Sequence, residues 1–497
     1  MYRVAIIGAG ITGLSIARWL TMYDGIEVTV IDKEPDVGWG VTKANTAIIH
    51  PCHEEDPDRH PLRSRLCLEG HNLWYEWVRE LEIPAKWPGE IIVATNDEEL
   101  KGLKKYIGFA YRIGVPGVRL IDRDEMLELD PTINPDAVGG LYAPTAGTIN
   151  PMMAAIAIAE NIVDNGAKLL LGARVEDIIV EDGRVTGVKT SRGIVRADIV
   201  VNAAGLYADK ISMMAGITDY NIHPRRGQYL LFSDRVDVKP RKILHTAPTP
   251  KTKGVYAITT VDDNLLVGPT AEDLPGDARE ETMTTHEGLD FVYKMAAKIL
   301  RKLPPRNKVI KTFAGLRPEP STGTFIIRFH EKPWGFVEAA GIRSPGLTAA
   351  PAIGRYVSKL VLERLDNVRP KQKWRRHRPA IPRPAYMDES DRDKLIKENP
   401  DYGWIICVCR KVSLGEIIEA VERMKKIGVP VITLDGIKFR THSMYGNCQG
   451  SQCRPHIAYM LWKRLGIKPW EISFKGGGSK YAYSEVKALL RRGGSNA

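Results

Sequence analysis

The sequence predicts an α/β protein of several domains, and three observations carry that prediction. A chain of 497 residues is long for a single core, since domains usually hold about 100 to 200 residues. Apolar strands run into glycine-containing turns near residues 8, 205 and 341, as expected where parallel strands lead into helices. Four of the six cysteines lie in the last hundred residues, which indicates a small metal-binding domain.

Composition places the chain among folded globular proteins and excludes several functional classes. Hydrophobic residues make up 43% of the chain and charged residues 26%, which is outside the range of disordered proteins. The cysteines are too sparse for a disulfide scaffold, so we expect a reducing, cytoplasmic location with Cys52 and Cys67 as free buried thiols. We expect no signal peptide, and no membrane span because glycine and proline interrupt the longest charge-free run, residues 137–159.

The net charge of +11 suits an anionic substrate, an acidic partner or a membrane surface. Much of the excess lies in a proline-rich stretch, residues 368–384, which carries seven basic residues and no acid. We interpret this stretch as an extended, solvated linker, with a docking patch as the alternative. No nucleic-acid-binding motif accompanies the charge, so we expect no nucleic-acid partner.

A dinucleotide-binding fingerprint opens the chain. The apolar run of residues 3–7 ends at Gly8, and Gly10 and Gly13 follow before an amphipathic segment, residues 14–22. Gly8 permits a tight turn, Gly10 lets the backbone approach a pyrophosphate, and Gly13 lets the helix close on the strand. This order of strand, glycine turn and helix predicts a Rossmann-like domain.

An acidic residue at the end of the second strand completes this fingerprint. Residues 27–31 form an apolar run that ends at Asp32, 19 residues after Gly13. An acid at this position can hydrogen-bond the ribose hydroxyls of a dinucleotide. The fingerprint predicts a dinucleotide site but does not separate NAD from FAD.

Two later segments return to the same domain. Residues 175–180 and 185–190 alternate as a hairpin, and the strand at 198–202 then runs into a turn of small residues. A further strand begins near residue 335 and ends in glycine and proline before a helix of small residues. This arrangement resembles the D-amino-acid oxidase superfamily of flavoproteins. The resemblance implies FAD and a second domain, an antiparallel sheet that covers the flavin and binds the substrate.

A narrower resemblance rests on five motifs, at residues 42–50, 245–254, 266–273, 313–318 and 343–348. They resemble those of the large catalytic subunit of anaerobic-type glycerol-3-phosphate dehydrogenases, and the 2-hydroxyglutarate dehydrogenases are close cousins. The fingerprint and the resemblance together imply a set of cofactor-binding residues: Gly8, Gly10, Gly13, Asp32, Thr42, Asn45, Thr46, Val175, Ala204, Gly205, Gly315, Arg343, Gly346, Leu347 and Thr348.

The expected domain organisation follows from these motifs. An FAD-binding domain is assembled from residues 1–85, 150–215 and 311–365, and a substrate domain from residues 86–149 and 216–310. Residues 366–400 form the basic linker, residues 401–465 a 2Fe-2S domain, and residues 466–497 a tail with a short helix at 484–492.

Oxidation of an alcohol by a flavin needs a base for the hydroxyl proton and a group that stabilises negative charge. The resemblance places Arg317 beside the flavin, where its guanidinium can hold an anionic substrate group or a developing alkoxide. His50 and His245 are the candidate bases, and a packed structural role is the alternative for each. Lys253 and Lys251 are candidate phosphate ligands or simple loop residues.

One departure from the family bears on the base. Membrane-bound aerobic relatives carry Gly-Ser-His where the strand after Pro224 begins, whereas this chain reads Arg226-Gly227-Gln228-Tyr229. The proton acceptor therefore stays open between His50 and His245.

The C-terminal cysteines form a pair of closely spaced motifs. Cys407 and Cys409 are separated by one residue, and Cys448 and Cys453 by four. Four thiolates suit tetrahedral zinc or a two-iron cluster, and a one-residue gap is tight for two ligands on one ion. The pattern resembles the bacterioferritin-associated ferredoxin type of domain, which implies a 2Fe-2S cluster.

Three functions stay open at this point. The first is an FAD-dependent glycerol-3-phosphate dehydrogenase that passes electrons through its own cluster to a protein partner. The second is a 2-hydroxyacid or amino-acid dehydrogenase on the same scaffold. The third is an electron-transfer subunit whose partner carries out the alcohol chemistry. For the first, we expect an oligomer or hetero-complex that associates with the inner face of the membrane through its partner.

Overall fold

The computed structural model describes residues 1–249 and 252–485. The chain forms two compact units. The first comprises Met1–Lys33 and Val37–Arg378, and the second comprises Glu34–Asp36 and the chain from Pro379 onward. Lys251 lies outside the described residues, and so does most of the helix expected at 484–492.

Twelve α-helices occur in the described residues, and none of them is long and apolar enough to cross a bilayer. They are α1 Ile11–Leu20, α2 Pro61–Glu80, α3 Asp97–Ile113, α4 Arg123–Leu129, α5 Pro151–Asp164, α6 Ala208–Met214, α7 His286–Ile299, α8 Gly346–Leu362, α9 Glu389–Glu398, α10 Leu414–Lys426, α11 Leu434–Thr441 and α12 Cys453–Leu465.

The strands of the described residues are mostly short. In chain order they are β1 Tyr2–Ile7, β2 Tyr23–Asp24, β3 Ile26–Ile31, β4 Ile48–Ile49, β5 Ala85–Lys86, β6 Glu90–Ala94, β7 Arg119–Asp122, β8 Gly139–Ala143, β9 Gly147–Ile149, β10 Lys168–Leu170, β11 Val175–Glu181, β12 Arg184–Thr190, β13 Gly193–Arg196, β14 Ile199–Asn202, β15 Ile222–Phe232, β16 Ile243–Thr246, β17 Tyr256–Thr259, β18 Leu265–Gly268, β19 Glu272–Asp273, β20 Val309–Pro320, β21 Ile326–Glu331, β22 Trp334–Ala340, β23 Arg369–Pro370, β24 Ile405–Cys407 and β25 Val412–Ser413.

The first sheet of the larger unit has a parallel core in the order β10-β3-β1-β14-β22. The β11–β12 hairpin extends one side of this core, as its alternating sequence predicts. The parallel strands β1, β14 and β22 end at the same edge, so they bring Gly8, Ala203 and Gly341 together there. This confirms that three distant segments of the sequence build one nucleotide-binding sheet.

The second sheet of the same unit is largely antiparallel, in the order β19-β15-β18-β17-β16-β6-β8-β7. Its apolar face packs on α7 through residues such as Phe232, Leu265 and Val292. β20 pairs with β15 along nearly its whole length, so β20 belongs to this sheet although we expected residues from 311 onward in the other domain. The domain boundaries themselves stay a prediction.

The basic stretch at residues 368–384 is not the solvated linker that its composition suggested. β23 pairs with β2 at the edge of the larger unit. The Arg378 side chain is buried, and its Nε donates to Glu160 Oε2 at 2.6 Å. The expectation fails at Arg378 because the buried carboxylate of Glu160 in α5 neutralises this arginine, and sequence charge alone does not reveal such a partner.

The smaller unit is a helical domain with its own core. Met424 of α10, Ile437 of α11 and Ile457 of α12 pack together with Cys407 and Cys453. A capping box begins α10. The Ser413 hydroxyl accepts a hydrogen bond from the Glu416 amide, and the Glu416 carboxylate accepts one from the Ser413 amide.

Candidate functional site

The glycine fingerprint forms a tight strand-to-helix turn at the carboxyl edge of the first sheet. Gly8 has φ +111°, and a Cβ there would lie 2.3 Å from the Ala203 carbonyl oxygen. A Cβ at Gly13 would lie 2.0 Å from the Gly8 oxygen, so only glycine lets α1 approach β1 this closely. A Cβ at Gly10 would meet only Thr42 Oγ1, at 3.4 Å. The helix start therefore has room for a phosphate beside Gly10.

Asp32 lies where the fingerprint requires it. It follows β3, and its Oδ2 accepts a hydrogen bond of 2.6 Å from the Ala9 amide. The carboxylate therefore sits directly against the glycine turn. This position suits a contact with the ribose of a dinucleotide, which stays a prediction for this residue.

The loop after residue 40 lies over the start of α1. The Ile11 amide donates to Thr42 Oγ1 at 3.0 Å, and Asn45 Nδ2 donates to the Thr42 carbonyl at 2.8 Å. A Cβ at Gly315 would lie 1.9 Å from the Ala44 oxygen. The loop is thus pressed between α1 and β20, and it joins the two sheets at the site.

Other residues expected to bind the cofactor lie at the start of β11, just after β14 and at the start of α8. Val175 begins β11, and Ala204 and Gly205 follow β14, where the Ala204 amide donates to Asn202 Oδ1 at 3.2 Å. Gly346 and Leu347 begin α8, and Trp74 Nε1 donates to the Leu347 carbonyl at 3.0 Å. Their roles stay predictions.

His50 directly follows β4 and is hydrogen-bonded to the first turn of α8. Its amide donates to Thr348 Oγ1 at 2.9 Å, and its carbonyl lies 2.9 Å from His71 Nδ1. The ring is buried, and Nδ1 has no hydrogen-bond partner in the part of the chain that the structure describes. Burial, followed by the positive charge of Lys253, lowers the pKa of His50 well below its usual value. The imidazole is therefore neutral at pH 7 and can accept a proton.

His245 is also buried, on β16 of the second sheet. Its Nδ1 lies 3.1 Å from the Thr246 carbonyl and 3.0 Å from the Lys253 carbonyl. Two carbonyls can only accept hydrogen bonds, so we assign the proton to Nδ1 and a lone pair to Nε2. The ring stacks on Tyr256 with centroids 4.4 Å apart.

Arg317 lies on β20, opposite Arg225 of β15. Its Nη2 donates to the Thr270 carbonyl at 3.1 Å. Burial raises the pKa of Tyr229, and the Arg317 guanidinium opposes that rise through its charge and a hydrogen bond. Glu319, two residues further along β20, lies 3.4 Å from Arg225 and 3.3 Å from Arg343.

The sequence suggested that Lys253 is a candidate phosphate ligand, but its ammonium group is already paired with carboxylates. Its Nζ lies 3.1 Å from Glu54 Oε2 and 2.7 Å from Glu55 Oε1. Glu55 also accepts from Arg63 Nε at 2.6 Å, and the cations lower the pKa of Glu55 to about 2 against the opposing effect of burial. Lys253 is thus neutralised by two carboxylates, and its proposed substrate contact has to compete with them.

Several residues of this region were missed by sequence reasoning. Glu54, Glu90, His53, Tyr229 and Tyr256 are held close to the candidate bases by the second sheet and the loop after His50. A signal existed for two of them, because His53 and Glu54 follow His50 within four positions.

The Cys52 and Cys67 side chains form a disulfide, with Cα atoms 5.8 Å apart. Our expectation of two free thiols was wrong. Cys52 has φ +75°, and this turn directs the loop after His50 back onto α2. The spacing of 15 residues does not reveal that approach.

The four C-terminal thiols converge in the smaller unit. Cys409 Sγ lies 3.9 Å from both Cys407 Sγ and Cys448 Sγ, and the Cys407 and Cys453 thiols interact directly. The Gly450 amide donates a hydrogen bond to the Cys448 sulfur. Gly446 makes room for the neighbouring thiol, because a Cβ there would lie 2.4 Å from Cys409 Sγ. Among the described residues, no group of three or more His, Cys, Asp or Glu is placed for a single metal ion.

Both sites fit the cofactors that the sequence suggested. The open space at Gly10 and the uncapped start of α1 suit a pyrophosphate. Four convergent thiols with backbone donors suit a cluster with bridging sulfides.

Comparison with known proteins agrees with this assignment. Residues 3–360 match the FAD dependent oxidoreductase family, and residues 405–463 match the BFD-like [2Fe-2S] binding domain. The second match favours the iron–sulfur interpretation of the cysteines over zinc. FAD and a [2Fe-2S] cluster are therefore the cofactors of this chain, as predicted.

Individual relatives are similar over long stretches. A glycerol 3-phosphate dehydrogenase of Caloramator mitchellensis is 38% identical over 491 residues, covering 99% of this chain and 100% of that protein. A glycerol 3-phosphate oxidase of Mycoplasma pneumoniae is 31% identical and covers 72% of this chain and 94% of that protein.

A solved structure gives the same picture. The L-alpha-glycerophosphate oxidase from Mycoplasma pneumoniae with FAD bound superposes with a TM-score of 0.70 at 28% identity, covering 76% of this chain and 99% of that one. The α/β fold class is thus confirmed. The chain belongs to the FAD dependent oxidoreductase family and carries a C-terminal BFD-like [2Fe-2S] domain.

Proposed function

We propose that this protein oxidises sn-glycerol 3-phosphate to dihydroxyacetone phosphate. The observation that carries the proposal is a buried neutral histidine and a guanidinium that both lie close enough to one tyrosine to act on it. The His50 and Tyr256 ring centroids lie 6.3 Å apart, and the Arg317 charge acts on the Tyr256 hydroxyl. The named activities of the similar proteins support this substrate over a hydroxyacid or an amino acid.

The chemistry divides between cofactor and protein. FAD, when bound, supplies the acceptor for the hydride that leaves the carbinol carbon. His50 takes the hydroxyl proton, because its ring is neutral and its backbone is fixed by Thr348 at the start of α8. His245 ranks second, since two carbonyls already engage its Nδ1.

The anionic end of the substrate needs a cation that is not already neutralised. Arg317 satisfies this need, because its guanidinium donates to the neutral carbonyl of Thr270 and not to a carboxylate among the described residues. Lys253 forms ion pairs with Glu54 and Glu55. We therefore assign it an electrostatic effect on the pKa of His50 and only a secondary role in binding the substrate phosphate.

Electrons leave through the second cofactor in this proposal. Cys407, Cys409, Cys448 and Cys453 would hold the [2Fe-2S] cluster, which would supply one-electron transfer to a separate acceptor protein. The match over residues 405–463 supports the cluster. The acceptor, an oligomeric or hetero-complex state, a cytoplasmic location and peripheral membrane association complete the proposal.

Anaerobic flavin bleaching tests this function. Purified holoenzyme is mixed with glycerol 3-phosphate, L-2-hydroxyglutarate, proline, lactate and glycerol in separate experiments. Of the five compounds, we expect only glycerol 3-phosphate to bleach the flavin rapidly. Bleaching with glycerol, which lacks the phosphate, should be slow or absent. Preferential bleaching by hydroxyglutarate or proline would reassign the substrate. A chain that no substrate bleaches would be an electron-transfer subunit.

A further inference from the structure

A group of buried polar side chains lies next to the candidate base, and most of its members have no role in the proposed chemistry so far. Its members are His53, Glu54, Glu90, His245 and Tyr256, together called the buried polar cluster. Each has at least one buried nitrogen or oxygen without a hydrogen-bond partner among residues 1–249 and 252–485. Leaving a buried polar group without a hydrogen bond destabilises the folded state, so this concentration calls for an explanation.

The second sheet places three of these residues on one face. His245 of β16 pairs with Tyr256 of β17, while Ile243, two residues before His245, pairs with Glu90 of β6. Side chains of paired residues point to the same face, as do those two residues apart. Glu90, His245 and Tyr256 therefore project together.

The loop after His50 supplies the other two members. His53 Nδ1 lies 3.5 Å from Glu90 Oε1, and Glu54 Oε2 lies 3.1 Å from Lys253 Nζ. The Tyr256 ring stacks on His245 and lies edge-on to His50. The cluster thus begins at His50 and ends at Lys253, whose side chain is 23% exposed.

The charges within the cluster favour one shared proton. Burial, followed by the negative charge of Glu54, raises the pKa of Glu90 well above its usual value. Burial lowers the pKa of His53 to about 4 although Glu54 opposes that effect. Both shifts favour the uncharged forms, a protonated Glu90 beside a neutral His53 imidazole. Tyr106, Glu55 and Lys253 are the other titratable groups facing this pair.

We propose that the buried polar cluster is a hydrated proton-exit relay, in which Glu90, His53 and His245 carry the substrate proton from His50 toward the Lys253 side. Water bridging the unpartnered atoms gives each a hydrogen-bond partner and joins them into one network. This inference rests on the proposed function, because it needs a base that receives a proton inside the protein.

The proton balance is closed. The substrate carbon gives a hydride, with its electron pair, to the flavin, and the hydroxyl gives its proton to His50. The imidazolium then passes a proton into the network while Glu90 passes its own proton outward. Glu90 is reprotonated from the network, so the cluster returns to its initial state and one proton reaches solvent.

Glu90→Gln is the appropriate variant because glutamine has the shape of the neutral acid but cannot pass a proton on. Holoenzyme is mixed anaerobically with glycerol 3-phosphate in weak buffer containing a pH-indicator dye, and flavin bleaching and proton release are followed together in a single turnover. Wild-type protein should release its proton together with bleaching. In Glu90→Gln we expect bleaching at close to the wild-type rate and proton release slowed roughly tenfold or more.

Glu160→Gln is the matched control, since Glu160 is a buried carboxylate in α5 that pairs with Arg378, away from the cluster. It should release its proton together with bleaching. His53→Gln repeats the test if Glu90→Gln loses FAD. Infrared spectra of the resting holoenzyme give a second readout, because the carbonyl band of a protonated carboxyl should be lost in Glu90→Gln and retained in Glu160→Gln.

Proton release that stays synchronous with bleaching in both Glu90→Gln and His53→Gln would overturn the relay. If glycerol 3-phosphate does not bleach wild-type flavin, the proposed function fails separately, and the same measurement is made with the substrate of the panel that does bleach it.

Discussion

The backbone amide of His50 donates to the hydroxyl of Thr348 at 2.9 Å, across 298 residues of sequence. This contact ties the loop that carries the candidate base to the first turn of α8. The base is thereby positioned by the same helix whose N-terminal residues are expected to contact the flavin.

Thr348→Val should disturb the position of His50 while keeping the size of the side chain. Loss of this acceptor should cost about 1 kcal/mol, or roughly a fivefold fall in kcat for glycerol 3-phosphate. Thr348→Ser retains the hydroxyl and is the control, with kcat near wild type. Equal kcat values for the two variants would show that the contact does not position the base.

Arg317→Lys should retain positive charge but lose the planar fork of the guanidinium. We expect a loss of roughly 2 to 4 kcal/mol of transition-state stabilisation, measured from kcat/KM for glycerol 3-phosphate. FAD content should stay normal. Wild-type kinetics would make Arg317 structural, and the anion-binding role would pass to Lys253 or Arg343.

The pH dependence of kcat/KM should report the His50 imidazole. Its pKa is lowered first by burial and then by Lys253, so activity should persist below pH 6.5 and fall only as the pH drops through the lowered pKa. In Lys253→Met, removal of the cation should raise the pKa of His50 and move the acid limb to higher pH. An unmoved acid limb would exclude His50 as the titrating base.

Gly10→Glu should abolish FAD binding, because it places a side chain and a negative charge where the pyrophosphate is expected. A Cβ at Gly10 meets only Thr42 Oγ1 at 3.4 Å, so the protein should still fold, as checked by circular dichroism. Gly13→Ala is the contrasting variant, since its Cβ would lie 2.0 Å from the Gly8 oxygen and should destabilise the fold itself. Normal flavin absorbance in Gly10→Glu would contradict the assigned site.

Cys448→Ser should lose most of the roughly two irons and two acid-labile sulfides expected per chain. Flavin reduction by glycerol 3-phosphate should stay largely intact, because the cluster acts after the flavin. Ser451→Ala removes a hydrogen bond to the Cys448 sulfur but no ligand, and it should keep its iron. Stoichiometric zinc in wild-type protein would contradict the proposed electron route.

Much of the fold could be predicted because its signals are local. The turn at Gly8, the β11–β12 hairpin and the paired cysteines are short patterns with one structural solution. The buried ion pairs could not be predicted, since Arg378 and Glu160 are separated by 218 residues. Composition suggested a solvated stretch where the structure has a buried guanidinium.

The candidate site was predictable only in part. His50 and Arg317 stand in recognisable motifs, whereas Glu90 acquires its surroundings from strand pairing with β16. The altered proton affinity of Glu90 comes from burial and from Glu54, and neither is visible before the chain is folded.

The Cys52–Cys67 disulfide closes a covalent ring around the segment that contains His53, Glu54, Glu55 and Arg63. A cross-link spanning about 15 residues removes roughly 3 kcal/mol of conformational entropy from the unfolded chain. That restriction acts on a segment with several buried charged side chains, whose separate opening would otherwise be favoured by hydration of those charges. With the ring closed, heat should release this segment only together with the rest of its unit, whereas reduction should let it open first and expose the base to water.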